Sequence, residues 1–472
     1  MRIRSIFSNS AGILLSRIFG FIRDLMMASV LGANIYSDIF FVAFKLPNLF
    51  RRIFGEGAFA QSFLPSFIAS RYKSIFSAKI LLNFVLVISL IIILVGFYSQ
   101  EITKVIAPGF NAQIVALSAR FVEIQFWYLL LIFIVTFFGT LLQYKEHFAT
   151  TAFATVLLNI SLITALFISK GSSKEEILYT LSWAVIFGGI LQVIAHLIVG
   201  RYFGILKMLR VGFLSLRRHS KKVKKDTNRF FKNFLPAVWG NSTAQIMAFL
   251  DTWLASFLVS GSISYLYYAN RIFQLPLALF AIAVSVAIFP SISKLINQNQ
   301  EQKAHEELKK GFWILIFLLG LSALGGIIFS KEIIWLLFER GAFSRADTIS
   351  TANVLMAYLV GLLPFGLSKL FSLWLYAHHK QLEAAKIATW SLIGYGVSAS
   401  VLFFTLGVVG LAISSTISGF ISFIFLIKAF GWEDFRSLFD KKMIIIFVST
   451  LALAGVIFFT LHIFIVELMI IN

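Results

Sequence analysis

Apolar runs long enough to cross a bilayer follow one another along the whole chain, separated by short polar connections. The pattern predicts membrane helices over 6–31, 35–65, 80–99, 120–143, 149–168, 177–199, 231–259, 263–293, 311–330, 348–376, 386–406, 408–429 and 443–466. Proline inside the longest of these segments predicts bends. The stretch 201–230 reads as a connection, and RRHSKKVKK at 217–225 is its densest basic run. The expected fold is an all-α polytopic membrane protein. A six-helix lobe occupies 1–200, a basic cytoplasmic loop 201–230, a second six-helix lobe 231–430, and a connector with a thirteenth helix 431–472.

Two lobes are expected because the chain resembles itself. VLGANIYSDIFFVAFKLP at 30–47 matches VSGSISYLYYANRIFQLP at 259–276, with Gly32 paired to Gly261 and Pro47 to Pro276 at one offset of 229 residues. FLPSF at 63–67 is echoed by IFPSI at 288–292, FAT at 153–155 by IAT at 387–389, and Gly189 by Gly419. Recurrence at nearly one offset points to duplication. Six helices per half leave both halves starting on the same side, the arrangement of two lobes that rock about a central site.

Composition agrees with the pattern. Of 472 residues, 59% are hydrophobic and 13% charged, and the mean hydropathy is +0.89. The absence of Cys removes disulfides, thiol catalysis and Cys-based metal sites from consideration. Arg2 and Arg4 precede an apolar run from Ile6 to Leu15, but charges follow where a cleavage region needs small neutral residues, so no removable signal peptide is expected. The net charge of +20 suggests nucleic acid only until its distribution is read. With the N-terminus in the cytoplasm, most of the 41 basic residues fall on inner connections, which orients the chain and leaves the C-terminus outside. No aromatic platform or flanking domain accompanies the basic run, so no nucleic-acid partner is expected; its role is topological, with anionic phospholipid as a second contact. GEG at 55–57 lacks the spacing of a phosphate-binding loop, and no metal-ligand pattern occurs.

The polar residues that interrupt the apolar runs are the candidate chemistry. Arg17, Gly20 and Asp24 fall within about 60° of one another on a helix, with Arg23 beside them. The next segment repeats the spacing with Asp38 and Lys45, then meets Pro47, Arg51 and Arg52. Arg17 with Asp24, or Asp38 with Lys45, also suits a plain intrahelical pair. In the second half Arg271 precedes Pro276 by five residues, Asp251 sits in the preceding helix, and Lys369 is embedded further on. Isolated charges in hydrocarbon are costly, so these groups are expected around a wet, protein-lined cavity, with Arg271 facing Arg17, Arg23, Arg51 and Arg52 between the lobes. An excess of arginine over carboxylate favours a phosphate or diphosphate ligand. Gly55 and Gly57 supply flexibility beside the arginines, and APGF at 107–110 with GAF at 341–343 marks exterior turns for a second gate.

SRIFGFIRD at 16–24, SDIFFVAFKLPNLFRRIFGEGAFAQSFLP at 37–65, APGF at 107–110 and YYANRIFQLP at 267–276 resemble the signature regions of the bacterial MviN/MurJ family, within the multidrug/oligosaccharidyl-lipid/polysaccharide exporter superfamily. The resemblance implies a multi-pass inner-membrane flippase, not an enzyme, that carries lipid II to the outer leaflet. It implies lipid II, membrane phospholipids and peptidoglycan-synthesis proteins as partners. The family's essential arginines fall on Arg17, Arg23, Arg51 and Arg271, its polar helix-two position on Asp38, and neighbouring signature charges on Asp24 and Arg52. Acidic residues usual on either side of the second-half arginine are replaced by Asn270 and Gln274, which implies a more uniformly cationic site. No cofactor is implied. Na+ or H+ coupling is, with Asp251 as the helix-seven candidate, although the eleventh segment offers no carboxylate. Fourteen helices are usual, the last two forming a groove for the lipid tail; thirteen are read here, which implies a groove that is shallower or completed by lipid or another subunit. The rival readings are an exporter of another polyprenyl-linked glycan or of cationic drugs, a polyprenyl-phosphate enzyme, and a cell-wall scaffold.

Overall fold

The computed structural model describes residues 3–52 and 58–471, and the backbone alone for 3–10, 239–241, 243, 244 and 466–471. Its chain divides into two compact units, Met1–Gly261 with Arg340–Phe343, and Ser262–Glu339 with Ser344–Asn472. Helices account for nearly all of both units, and no strand occurs among the described residues.

The first unit contains α1 (Ile3–Leu31), α2 (Ile35–Phe50), α3 (Phe59–Ala69), α4 (Lys73–Phe97), α5 (Ser99–Ile106), α6 (Ala112–Phe126), α7 (Tyr128–Tyr144), α8 (Ala149–Ile168), α9 (Lys174–Tyr202), α10 (Ile205–His219) and α11 (Lys224–Ala255). The second contains α12 (Ser262–Pro276), α13 (Ala283–Asn297), α14 (Glu301–Ile328), α15 (Ser330–Phe338), α16 (Arg345–Val360), α17 (Leu362–Ala377), α18 (Gln381–Phe430), α19 (Trp432–Ser437) and α20 (Lys441–Ile471).

Among the described residues, eight helices are long and apolar enough to cross a membrane, or nine if α16 and α17, bent by 43°, form one span. The chain is therefore an all-α polytopic membrane protein. The segments expected at 6–31 and 231–259 lie within the helices α1 and α11, and the described parts of 35–65 include the helices α2 and α3; none of these is among the eight. The segments expected at 386–406 and 408–429 lie in α18, whose helical backbone breaks at Gly407 with φ 56° and ψ −130°.

Helix ends follow local chemistry. Asn34 caps α2, and Ser173 with Glu176 and Ser344 with Asp347 form reciprocal capping boxes at α9 and α16. Pro47 and Pro276 deprive their helices of a donor, and each is followed by wider π-helical backbone, at Arg51–Arg52 and at Leu277–Ile282. The expected hinge glycines Gly55 and Gly57 lie outside the described residues.

Two expectations change. The stretch 201–230 is not a loop: α10 occupies Ile205–His219, turning from α9 at Gly204 in the left-handed region (φ 72°), and buries Ile205, Leu209 and Gly212. Its apolar positions recur at helical spacing between the basic ones, a pattern that the charge density hides. The boundary between compact units also falls after Gly261 instead of near 230, because α11 packs with the first unit. Phe230 of α11 joins Phe59, Phe84 and Phe133 in an aromatic core, with ring centroids 5.7, 5.7 and 5.6 Å from that of Phe59. In the second unit Phe312, Phe371, Phe430 and Phe439 play the same part, and α20 lays Phe447 on Gly320 and Phe458 on Gly325.

Truncating Phe59 removes the centre of the first core. Phe59→Ala is expected to lower stability by about 3 kcal/mol, read as a reduced melting temperature in detergent, whereas Phe153→Ala on an exposed face leaves it nearly unchanged.

Candidate functional site

The charged stripe of α1 is built against α8. Gly20 faces α8, where a Cβ would stand 3.5 Å from the Asn159 amide nitrogen, an ordinary contact distance. Asn159 Nδ2 donates to the Ser16 carbonyl at 3.1 Å, and its Oδ1 accepts from Arg23 Nη1 at 3.0 Å. Arg23 also donates through Nε and Nη2 to Asp24 Oδ1 at 3.1 and 2.7 Å. Asp24 is only 1% exposed, and this ion pair counters its charge. The seven-residue spacing suggested Arg17 as its partner, but the adjacent arginine holds it because both side chains turn toward α8. Arg17 is exposed, and no ion pair holds it among the described residues.

Arg51 and Arg52 occupy the π-helical turn after Pro47 and are half-buried. Arg51 Nε donates to Asn48 Oδ1 at 3.1 Å. Both Arg51 and Arg23 act electrostatically on the phenol of Tyr128, a fully buried residue whose hydroxyl donates to Gln192 Oε1 at 3.3 Å. Lys45, two residues before Pro47, lies within electrostatic reach of Asp251 and Arg52. No group of three or more His, Asp or Glu able to hold a metal occurs among the described residues.

Asp38 is buried in the first turn of α2, where its Oδ2 accepts from the Gly261 backbone N–H at 2.7 Å. The turns expected to form an exterior gate belong to the same unit. Gly109 N–H donates to Ser256 Oγ at 3.0 Å, and Ala342 N–H donates to the Ser29 carbonyl at 2.7 Å. Gly32, with φ +78°, lies so close to the Ala342 carbonyl that a Cβ would clash at 2.3 Å.

The remaining residues lie in the second unit. Arg271 Nη2 donates to the Tyr267 hydroxyl at 2.7 Å, and its guanidinium stands 5.0 Å from that ring's centroid. Gln274 donates to Asn270, so the two neutral amides satisfy one another beside the arginine. Lys369 is exposed on α17. Asn159, Tyr128 and Tyr267 are the residues that sequence reasoning missed. A lone Asn in the apolar run FATVLLNISLITALF was the available signal for Asn159.

The arrangement supplies fixed guanidinium groups with hydrogen-bonded surroundings, which suits recognition of phosphate oxygens. A family model described as "Lipid II flippase MurJ" matches residues 27–472. A Helicobacter pylori (strain ATCC 700392 / 26695) protein described as "Probable lipid II flippase MurJ" is 52% identical over 419 residues, covering 87% of this chain and 91% of the relative. An Aquifex aeolicus (strain VF5) protein of the same description is 34% identical over 355 residues, covering 74% of this chain and 67% of its own length. Among solved structures, "Lipid II flippase MurJ, inward closed conformation" superposes with a TM-score of 0.79 at 24% identity, covering 98% of this chain and 99% of its own. An inward-facing multidrug resistance MATE family transporter of the MOP superfamily superposes with a TM-score of 0.66 at 12% identity, covering 92% of this chain and 98% of its own. At these identities the two structures show a shared fold.

Removing Arg23 takes an ion-pair partner from the buried Asp24 carboxylate. Arg23→Ala is expected to cost about 3 kcal/mol, while Arg23→Ala with Asp24→Asn recovers most of that loss; equal melting temperatures for the single and double variants would show that the pair is not coupled.

Proposed function

The chain belongs to the lipid II flippase MurJ family, and from that premise we propose how its residues serve the activity. It is a multi-pass protein of the bacterial inner membrane and a transporter, not a catalytic enzyme, moving lipid II for peptidoglycan assembly. Arg17, Arg23, Arg51 and Arg271 replace the water around the lipid II diphosphate, while Asp24, Arg52, Asn270 and Gln274 set the orientation and local field of those arginines. The observation that carries this reading is the fixed placement of the Arg23 guanidinium, held by Asn159 of α8 and by the buried Asp24. Such a site needs little reorganisation when an anion arrives.

The movement is alternating access by two six-helix lobes followed by a thirteenth helix. Support comes from features that recur at the offset of the sequence repeat. Gly32 and Gly261 both have positive φ, and Pro47 and Pro276 both precede π-helical backbone. The exterior gate comprises Asp38 on Gly261, Gly109 on Ser256 and Ala342 on Ser29. Opening it breaks three hydrogen bonds to backbone groups, two of them made by the buried side chains of Asp38 and Ser256. The N-terminus is cytoplasmic and the C-terminus external, as the distribution of basic residues requires. Membrane potential can help to reset the cationic site, since moving one charge through 100 mV is worth about 2.3 kcal/mol. Phospholipid fills the outer faces, and proteins of peptidoglycan synthesis receive the product.

In cells where this protein alone can be switched off, depletion should stop lipid II from reaching the outer leaflet; undiminished arrival would refute the transport reading. Arg51→Ala and Arg271→Ala, at normal abundance, should each reduce arrival by roughly tenfold or more. Full arrival with both would move these arginines to a structural role.

A further inference from the structure

Between Arg201 and Lys225 lie nine Lys and Arg residues and no Asp or Glu. The structure makes most of this stretch the helix α10 and fixes it in place. Gly212 meets the Ser74 backbone of α4 so closely that a Cβ would stand 2.1 Å from its carbonyl oxygen. Lys79 Nζ donates to the Ser220 carbonyl at 3.2 Å, and Ser70 Oγ donates to Asp226 Oδ2 at 2.6 Å. These contacts hold α10 beside the N-terminal end of α4, a helix long and apolar enough to span a membrane.

The outer face of α10 mixes two chemistries. Lys207, Arg210, Arg217 and Arg218 are exposed, and among them Val211, Phe213 and Leu214 are exposed as well, Leu214 at 75%. Water satisfies only the cations of such a face. A bilayer interface satisfies both sets, because the apolar side chains enter the acyl boundary while the cations stay among phosphates. Nucleic acid would match the charge but leave the apolar residues exposed.

We infer that α10 is an interfacial helix whose outer face binds the anionic headgroups of inner-leaflet phospholipids. The leaflet rests on the cytoplasmic placement proposed above; the lipid chemistry rests on α10 itself. The attraction is electrostatic and therefore weakens with salt.

The test uses the full-length protein in phosphatidylcholine vesicles with trace spin-labelled phosphatidylglycerol or phosphatidylcholine. Phosphatidylglycerol should associate roughly fivefold more strongly at low salt, and the preference should vanish in the variant carrying Lys207→Gln, Arg210→Gln, Arg217→Gln and Arg218→Gln with an unchanged melting temperature. If that variant fails to fold, Arg210→Gln and Arg218→Gln are measured singly, each reducing the preference. Because the chain has no Cys, Leu214→Cys takes a single nitroxide, which should report the acyl boundary by oxygen accessibility. Equal association of the two lipids, a preference untouched by the Gln variants, or a water-exposed nitroxide would each overturn the inference. Competition by a labelled RNA oligonucleotide that displaces phosphatidylglycerol would overturn it in favour of nucleic acid. None of these readouts measures lipid II transport, so they stand or fall separately from the flippase reading.

Discussion

A charge taken out of water must be matched, and in this chain the match is made between helices. Asp24 is buried on α1 and paired with Arg23, which in turn is positioned by Asn159 of α8. The pairing explains why a helix carrying three ionisable residues in its second half remains part of a membrane protein. Carboxylate and amide together orient the Arg23 guanidinium.

The second device is backbone irregularity placed beside charge. Pro47 leads into π-helical backbone that contains Arg51 and Arg52, and Pro276 leads into the π-helical stretch Leu277–Ile282. Where a helix widens, its carbonyls and side chains take directions that a regular helix denies them. Glycine does comparable work at the turns, where Gly32 and Gly109 let backbone approach backbone.

Local signals are legible in the sequence. Apolar run length marks an all-helical membrane fold and proline marks the breaks, because both act within a turn or two of the chain. In the basic stretch 201–230, charge density masks the helical spacing of Ile205, Leu209 and Gly212. Partners across long sequence separations stayed invisible: Asn159 is 136 residues from Arg23, and Gly261 is 223 from Asp38.

By itself, then, the sequence determined an all-helical membrane protein, the family to which it belongs, and the residues whose charge must be functional or paired. Hydropathy and proline geometry act over single helices, so they can be read in order along the chain. Tertiary structure alone decided that Asp24 pairs with Arg23 instead of Arg17, that Asp38 binds a backbone N–H, and that α11 packs with the first unit. Each of those outcomes depends on which side chains from distant helices come within hydrogen-bond reach, and periodicity along one helix specifies its faces without naming what they meet.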